Sequence, residues 1–460
     1  MRWLHISDIH VDITARNGKV ETYRRHFLNG LNDELQQQQP LDCIIFTGDL
    51  FNQGKWTQVQ IASALNFLKE IYQIGSDTGG WSWQKDMPMT RLFYCPGNHD
   101  VLRDAYLIDD AGTVTHRREA LEAGQENGFF SPRGTDYKLL TEDSFGLFES
   151  IMSRVVPKHC YQSAYPFEFK RFQVPPDVKG PTISVIGINT VLLAGRVYPK
   201  EQVSKELEET YSHFLQADAR FDTVIALEEY KKYHAAALKK LGYLMNDERN
   251  LCFISQQAQE ELDNLLYNCR VPIIFGHHPL SFLSNEAMEQ FENFADKHTV
   301  SIYLCGHTHR ASGTLIYDAP APFWEIETRN HVYQITVGGI FLDSSNYNQA
   351  SFAIGQVDLS SGTTEANLEV TVFIFAPDIF GDEHMSSYSQ KAKVGVKRAP
   401  QATPQVEAPI PSTTETHTGN PEIPDEDGKT VQLQKENSEN LDDNDLRSRV
   451  LLLIDKKERR

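Results

Sequence analysis

The first hundred residues alternate between two hydrophobic periods, and this alternation constrains the fold more than any other feature. Three strand-like runs, "RWLHIS", "DCIIFTG" and "RLFYCPG", are separated by two segments with apolar residues at helical spacing. The helical positions are Tyr23, Phe27, Leu31 and Leu35 in the first segment and Ile61, Leu65 and Leu68 in the second. A β-α-β-α-β order is typical of adjacent parallel strands joined by right-handed crossovers, with functional loops at the carboxyl ends of the strands.

Strand-like runs recur further along the chain, so the sequence predicts a mixed α/β body. They lie at 182–190, 271–277 and 300–307, followed by strand-rich stretches at 331–342, 351–358 and 368–376. Two segments look like additions to this core. Residues 101–180 carry mixed helical and irregular signals, and residues 198–250 are typical of long helices. We predict one domain over residues 1–385 that contains both additions.

The sequence changes character after about residue 385. Residues 391–460 contain six prolines and no Phe, Trp or Tyr. Such a segment cannot bury enough apolar surface to offset its ordering entropy, so we predict a disordered Pro-rich linker over 386–440. An amphipathic helix is predicted over 441–460, because acidic residues begin it, basic residues end it and an apolar stripe follows it. This helix is expected either to dock on a partner protein or a second copy of the chain, or to fold back on the body.

The charge and hydrophobicity of the chain argue against two kinds of partner. The net charge is −19, and nearly all of it belongs to the body, because residues 391–460 carry 12 basic and 13 acidic residues. An acidic body disfavours an extended duplex DNA surface. No run of about 18 apolar residues predicts a membrane span, and Met1 leads directly into a strand-like segment without a leader pattern. We therefore expect a cytoplasmic location and no membrane partner.

Side chains that bind metals follow five of the predicted strands. The motifs "SDIH", "TGDLFN", "PGNHD", "GHHP" and "GHTH" supply Asp8 and His10, Asp49, Asn98 and His99, His277 and His278, and His307 and His309. Each motif taken singly is compatible with a helix cap, a turn or a structural histidine. Carboxylate, amide and imidazole groups that converge at five strand ends would be electrostatically unfavourable without cations, so together they predict a metal site.

The ordered set D-x-H, G-D, G-N-H-D, G-H and G-H-x-H resembles the calcineurin-like metallophosphoesterase superfamily. The resemblance covers about residues 1–376, apart from the two additions. It implies an α/β fold of the αββα type, a four-layer sandwich of two mixed sheets flanked by helices. What the motifs specify is a chemistry and not a substrate.

The resemblance also implies an arrangement of ligands around two divalent metal ions. Asp8, His10 and His309 would hold one metal, Asn98, His277 and His307 would hold the second, and Asp49 would bridge both. Oxygen and imidazole donors without thiolate suit borderline divalent ions, whatever the family. We expect Mn²⁺, and Fe, Zn, Ni or Co remain open.

Several neighbouring residues have alternative roles. The resemblance implies that His99 faces the phosphoryl group and protonates the leaving alkoxide. Asp100 is expected either to orient the His99 imidazole, as a catalytic residue, or to cap a following helix. His278 is expected to be a hydrogen-bond partner behind the metal ligands, or else a phosphate contact. Asn52 stands where many relatives carry an acidic residue, and Arg310 is either a phosphate ligand or a surface ion-pair former.

Four classes of function compete for this pattern. The phosphoprotein phosphatases differ at two motifs, since "GDLFNQG" and "PGNHD" replace their "GDxVDRG" and "RGNHE". Nucleases resembling Mre11 and SbcD share "GDLF" but do not fit the acidic body. Small-phosphodiester hydrolases share "GNHD", "GHHPL" and "GHTHR", so we expect a hydrolase that cleaves phosphodiester or phosphomonoester bonds of small or nucleotide-type substrates with a metal-bridging hydroxide. A scaffold that has lost catalysis is the fourth class, and it is disfavoured because no ligand position is missing.

Overall fold

The computed structural model describes the greater part of the body of the chain. The described residues are 1–10, 18–51, 56–84, 86–108, 113–123, 135–174, 183–194, 251, 253–308, 324–326, 332–340, 350–359, 364–377 and 383–397. Every described residue belongs to one compact unit, Met1–Gln401. The predicted insertion at 198–250, residues 398–440 of the predicted linker and the predicted helix at 441–460 lie outside the described residues.

The described residues form strands and helices in a mixed order. The strands are β1 Arg2–Ile6, β2 Cys43–Phe46, β3 Leu92–Tyr94, β4 Tyr106–Ile108, β5 Val114–His116, β6 Tyr161–Gln162, β7 Phe169–Phe172, β8 Ile183–Ile188, β9 Val271–Phe275, β10 Ile302–Cys305, β11 Trp324–Ile326, β12 Val332–Thr336, β13 Ala350–Asp358, β14 Glu365–Pro377 and β15 Glu383–Gly395. The α-helices are α1 Gly18–Gln36, α2 Gln58–Gly79, α3 Arg117–Ala123, α4 Thr135–Leu140, α5 Glu142–Met152, α6 Gln256–Leu265 and α7 Asn285–His298. Short 3-10 helices cover Lys158–Cys160 and Leu280–Phe282.

Two mixed sheets form the centre of the fold. One has the order β15-β14-β13-β1-β2-β3 and the other the order β11-β12-β10-β9-β8-β7-β6, while β4 and β5 make a separate hairpin. The strands β1, β2 and β3 are parallel neighbours, as the amino-terminal alternation predicts. In the second sheet β8, β9, β10 and β12 are parallel to one another. Their carboxyl ends therefore lie at one edge of each sheet.

The sheets pack face to face between two layers of helices. Alternate residues of β10 show this: Ile302 and Leu304 belong to the hydrophobic cluster shared with the first sheet, α1 and α2. Tyr303 and Cys305 belong to a second cluster, with Phe291 and other residues of α6 and α7. Strands that are buried on both faces read as continuous apolar runs, which explains "CIIF" and "IYLC". The predicted four-layer αββα fold is confirmed.

The helices begin and end at recognisable capping residues. Thr57 caps α2, its hydroxyl accepting a hydrogen bond from the backbone of Gln60 while the Gln60 side chain accepts one from the Thr57 backbone. Ser284 caps α7 in a similar way by accepting from Ala287 N, and Thr299 ends that helix in a left-handed conformation. These caps fix the start of α2 and both ends of α7.

Two predicted boundaries differ from the structure. Strand β7 falls inside the segment 101–180 that the sequence indicated as an addition, yet it pairs with β8 in the second sheet. The charged residues of β7 do not fit the apolar pattern of a buried strand, so the sequence did not indicate it. Lys170 is nevertheless buried, because its Nζ donates to Glu149 Oε1 at 2.7 Å and to the carbonyl of Pro166 at 2.7 Å. The boundary predicted at residue 385 falls inside β15, so residues 386–395 are strand and not linker. Backbone pairing with β14 holds β15, and its polar composition does not reveal that pairing.

Helix lengths and hydrophobicity also bear on membrane insertion. Within the described part of the chain, no helix is both long and apolar enough to cross a membrane.

Candidate metal centre

The predicted ligands that the structure describes come together in one cluster between the two sheets. They are Asp8 and His10 after β1, Asp49 after β2, Asn98 after β3, His277 after β9 and His307 after β10. Several contacts join loops of the two sheets: for example, the backbone N–H of His307 donates to Asp8 Oδ2 at 2.9 Å, and His277 Nε2 lies 3.3 Å from Asp49 Oδ2. His309, Asn52 and Arg310 lie outside the described residues.

Asp49 occupies the middle of the cluster. Its Oδ2 lies 3.6 Å from His10 Nε2, 3.3 Å from His277 Nε2 and 4.0 Å from His99 Nε2. This oxygen is buried and makes no hydrogen bond of normal geometry among the described residues. The other oxygen, Oδ1, accepts from the backbone N–H of His99 at 2.8 Å. One carboxylate oxygen is thus fixed, and the other faces imidazoles on both sides.

Three side-chain atoms that can each bind a metal ion face one another in the other half of the cluster. His277 Nε2 lies 2.8 Å from Asn98 Oδ1 and 3.2 Å from His307 Nδ1, and His307 Nδ1 lies 3.2 Å from Asn98 Oδ1. The other ring nitrogen of His277, Nδ1, lies 2.8 Å from the carbonyl oxygen of Thr47, which can only accept a hydrogen bond. In a neutral His277 the proton is therefore on Nδ1 and Nε2 is an acceptor.

Acceptors at these separations repel one another unless a cation or a proton lies among them. The orphaned oxygen of Asp49 adds a negative charge to the same space. Carboxylate, amide and imidazole donors are those that bind borderline divalent ions. The residues present therefore fit a divalent metal ion. Three groups of candidate ligand atoms, each within 4.8 Å of one another, are found among the described residues: His10, Asp49 and His99; Asp8, Asp49 and His277; and His277, His278 and His307.

Several of these residues have a strained backbone. Asp8, His10, Asp49 and His307 have φ angles of 52°, 44°, 57° and 68°, in the left-handed region that non-glycine residues seldom occupy. Such strain costs free energy and persists only where the surrounding structure imposes it, which occurs mostly at functional sites. The presence of four residues with left-handed backbone conformation in one cluster therefore supports the assignment of this cluster as a functional site.

The motif glycines permit close approach of the loops. A Cβ on Gly97 would lie 2.1 Å from Asp49 Oδ1, and a Cβ on Gly306 would lie 1.8 Å from Ser7 Oγ and 2.4 Å from Asp8 Oδ2. The carboxylates of Asp8 and Asp49 can reach their positions only because neither glycine has a side chain.

The pKa values of the cluster show how strongly its charges are coupled. Burial is the largest single effect on the pKa of His277 and lowers it, but the charge and hydrogen bond of Asp49, the charge of Asp8 and the carbonyl of Thr47 together outweigh burial, and the pKa rises to about 9. Burial tends to raise the pKa of Asp49, and the charges of His277, His99 and His10 hold it below its usual value. A proton on His277 therefore takes the place of a cation in the metal-free protein, and metal binding must displace it.

Asp100 connects two of the site loops. Its Oδ2 accepts from the backbone N–H of Asp49 at 2.9 Å and of Gly97 at 2.9 Å, and its Oδ1 accepts from Leu50 at 3.0 Å and Phe51 at 3.2 Å. Both oxygens are thus engaged with the backbone, and neither the His99-orienting role nor the helix-cap role describes them. Asp100 joins the loop after β2 to the loop after β3. Burial and the charge of Asp49 raise its pKa to about 7, against the effect of the backbone donors.

We expect Asp100→Asn to lower both the stability of the protein and its affinity for metal, although Asp100 is not a proposed metal ligand. Asparagine has one acceptor oxygen, and its NH₂ group would face backbone N–H donors. Some of these buried N–H groups would then have no acceptor, and each such loss destabilises the folded protein by about 1–3 kcal/mol. Metal affinity should fall about 10–100-fold, as for other groups that support ligands. Calorimetric metal titration and urea unfolding in chelator measure the two effects. Asp104→Asn, at an exposed position of the following segment, is the control. A lower kcat with unaltered stability and metal affinity would instead favour the orientation of His99.

His278 is buried beside His307, with ring centroids 4.4 Å apart. Its Nδ1 is 3.1 Å from Thr190 Oγ1, and its carbonyl accepts from the hydroxyl of Tyr303 at 2.7 Å. Burial, followed by the charges of His307 and His277, lowers its pKa well below the usual value. Nothing in the sequence distinguishes Thr190 and Thr47 as partners of these histidines, because a threonine that follows a strand has no local signature of such a contact.

His5 lies in β1, behind the Thr47 loop. Its Nε2 is 3.1 Å from Thr47 Oγ1, and it is fully buried. Burial lowers its pKa from 6.5 to about 3. The folded state therefore keeps His5 neutral at pH values where the unfolded state binds a proton.

This difference predicts a loss of stability in mild acid. As the pH falls from about 6.5 towards 3, unfolding takes up a proton at His5, and the free energy of unfolding decreases by up to about 1.4 kcal/mol per pH unit. Urea unfolding in chelator at about pH 7.5 and about pH 5 should show a larger loss for wild type than for His5→Gln, which does not titrate. His26→Gln, at an exposed position of α1, should behave as wild type. Equal losses in wild type and His5→Gln would contradict the prediction.

Comparison with known proteins agrees with the site. The family model of the calcineurin-like phosphoesterases matches residues 1–173, which include the first three motifs. The resemblance that the ordered motifs predict is therefore confirmed as a calcineurin-like phosphoesterase match over residues 1–173. No curated protein matches the chain.

Solved structures give weaker similarities. A crystal structure of Chaetomium thermophilum Vps29 is 8% identical, covers 86% of this chain and 99% of its own, and has a TM-score of 0.27. A crystal structure of the same protein complexed with a RaPID-derived cyclic peptide is 13% identical, covers 30% of this chain and 88% of its own, and has a TM-score of 0.17. Scores this low support no inference about function.

Proposed function

We propose that this chain is a binuclear, metal-dependent phosphoesterase that hydrolyses phosphodiester or phosphomonoester bonds of small or nucleotide-type substrates. The observation that carries the proposal is that three buried acceptor atoms lie close together, namely Asp49 Oδ2, Asn98 Oδ1 and the Nε2 of neutral His277. Such a set fits divalent cations, and the family match gives hydrolysis of phosphoesters as the chemistry. We propose Mn²⁺ as the ion.

The ligands have distinct proposed roles. Asp8 and His10, together with His309 outside the described residues, would hold one ion, and Asn98, His277 and His307 would hold the other. Asp49 would contact both. Ions bound there would supply Lewis-acid polarisation of the phosphoryl group and would activate water at neutral pH. Thr47, Gly97 and Gly306 keep the ligands in place through the contacts described above.

His99 is the proposed acid of the reaction. Its side chain is 22% exposed, whereas Asp49 beside it is buried, so His99 faces the accessible side of the cluster. Its backbone N–H holds Asp49 Oδ1, which fixes the start of the side chain. A proton held on Nε2 would pass to the leaving alkoxide as the ester bond breaks. The lone pair of that oxygen takes the proton, and water supplies the oxygen that remains on phosphorus.

The charge of the protein supports small substrates over long nucleic acids. The chain carries a net charge of −19, and the phosphates of a duplex would meet this field along their whole length. A small diester presents a single phosphate to the metal cluster. The alternative within the same family is a nuclease resembling Mre11 and SbcD, and the substrate panel below distinguishes it.

We expect an aryl phosphodiester to be hydrolysed by the Mn²⁺-loaded protein, not by the chelated protein, and again after Mn²⁺ is restored. Elemental analysis should find two ions per chain. A panel of cyclic nucleotides, dinucleotides, nucleotide monoesters, single-stranded DNA and duplex DNA under Mn²⁺ then ranks the substrates. Activity that persists in chelator without bound metal would refute the proposed function. Degradation of duplex ends faster than small diesters would establish the nuclease.

A further inference from the structure

An aromatic ring lies beside the metal cluster without belonging to it. Phe282, at the end of the 3-10 helix after "GHHP", is half-buried. Its ring centroid lies 4.9 Å from that of His307 with an interplanar angle of 82°, and 5.7 Å from that of His278 with an angle of 30°. The imidazoles of His278 and His307 are themselves 4.4 Å apart. Phe282 therefore extends the ring cluster of the metal site towards the surface.

The backbone that carries this ring is held on both sides. Leu280 N donates to Gln334 Oε1 at 2.9 Å, Phe282 N donates to the carbonyl of Pro279 at 2.9 Å, and the carbonyl of Phe282 accepts from Leu251 N at 3.0 Å. Ser284 N in turn donates to the carbonyl of Leu251 at 2.9 Å. The position of Phe282 is thus set by β12 and by the segment that enters at residue 251. A ring positioned in this way loses little conformational freedom when a ligand binds.

We propose that Phe282 is the stacking surface for the nucleobase of a nucleotide-type substrate whose phosphate binds at the metal cluster. This proposal rests on the proposed function and narrows its substrate class. Stacking on an aromatic ring is tolerant of base identity, because every base has a π-face, and the energy of each stacked base corresponds to about 5–150-fold in affinity. The ring touches His307, so a group stacked on it would remain within a nucleotide's reach of the phosphate.

Two substrates with the same leaving group test the subsite. Thymidine 5′-(p-nitrophenyl phosphate) carries a nucleoside, and methyl p-nitrophenyl phosphate carries a methyl group in its place. In the Mn²⁺-loaded full-length protein, Phe282→Leu keeps an apolar side chain and removes the ring. We expect the KM for the thymidine ester to rise about 5–150-fold with little change in kcat, and the methyl ester to be unaffected. Phe282→Tyr should restore the KM, and Tyr267→Leu, which removes an exposed aromatic ring elsewhere, should leave it unaltered.

Equal effects on both esters would overturn the proposal and make Phe282 a hydrophobic cover for the site. Failure of tyrosine to restore the KM, while metal content and melting match wild type, would also overturn it. Binding without turnover separates this inference from the proposed function. Calorimetry with hydrolysis-resistant phosphonates should show the methylenephosphonate analogue of thymidine 5′-monophosphate binding more tightly than methylphosphonate to wild type, with the preference lost in Phe282→Leu. An inactive wild type that keeps this preference would refute the phosphoesterase and not the subsite, whereas the absence of any preference in wild type would refute the subsite.

Discussion

Asp49→Asn is expected to abolish the metal site and with it the proposed activity. The carboxylate faces His10, His277 and His99 through Oδ2, at 3.6, 3.3 and 4.0 Å. Asparagine removes the negative charge that both proposed ions share. The loss of turnover should exceed the about 10²–10⁴-fold contribution of a single acid or base, because the ions themselves are lost.

Asparagine is the most informative substitution at this position because it removes the negative charge of the side chain and changes little else. Asp49 has a φ angle of 57°, and asparagine is one of the few residues that tolerate this backbone conformation. It also keeps the shape of the side chain and an oxygen that can accept from the backbone N–H of His99. The backbone arrangement of the loop should therefore persist in the variant.

Elemental analysis and calorimetric Mn²⁺ titration measure the effect directly. Fewer than two ions should be bound, and the remaining affinity should be far below that of wild type. Asp33→Asn removes a carboxylate from an exposed position of α1 and should change neither quantity. Two ions bound at wild-type affinity in Asp49→Asn would contradict the bridging role.

His99→Ala is expected to lower turnover by about 10²–10⁴-fold while two ions stay bound. The side chain is removed, but the backbone N–H that donates to Asp49 Oδ1 remains. Its imidazole lies 4.7 Å from that of His10, close enough to count among the candidate ligands, so metal content is the decisive measurement. Loss of an ion in this variant would make His99 a ligand and not an acid.

The leaving group gives a second test of the same residue. A nitrophenolate leaves without protonation, whereas an alkoxide needs a proton, so an acid matters more for the poorer leaving group. The defect of His99→Ala should be larger for an alkyl diester than for a nitrophenyl diester. An equal defect for both esters would favour a role in holding the phosphoryl group.

The sequence by itself determined the architecture and the types of ligand. The alternation of strand and helix periods in the first hundred residues predicts β1, α1, β2, α2 and β3, because each element is coded by the side chains within it. The ligand types follow from short motifs at strand ends, and parallel strands bring their carboxyl ends to one edge. The fold class, the family and the positions of Asp8, Asp49 and Asn98 in one cluster therefore needed no coordinates.

Other features were decided only by the tertiary structure, since they depend on which loops meet across the two sheets. The carbonyl of Thr47 fixes the tautomer of His277 from 230 residues away in the chain, and Asp100 bonds to backbone groups about 50 residues away. Strand β15 exists through backbone pairing, which its polar side chains do not encode. Phe282 is one of many phenylalanines in the sequence, and only its contacts with His278 and His307 distinguish it. Local patterns encode local elements, whereas contacts between distant loops arise only when the two sheets pack together.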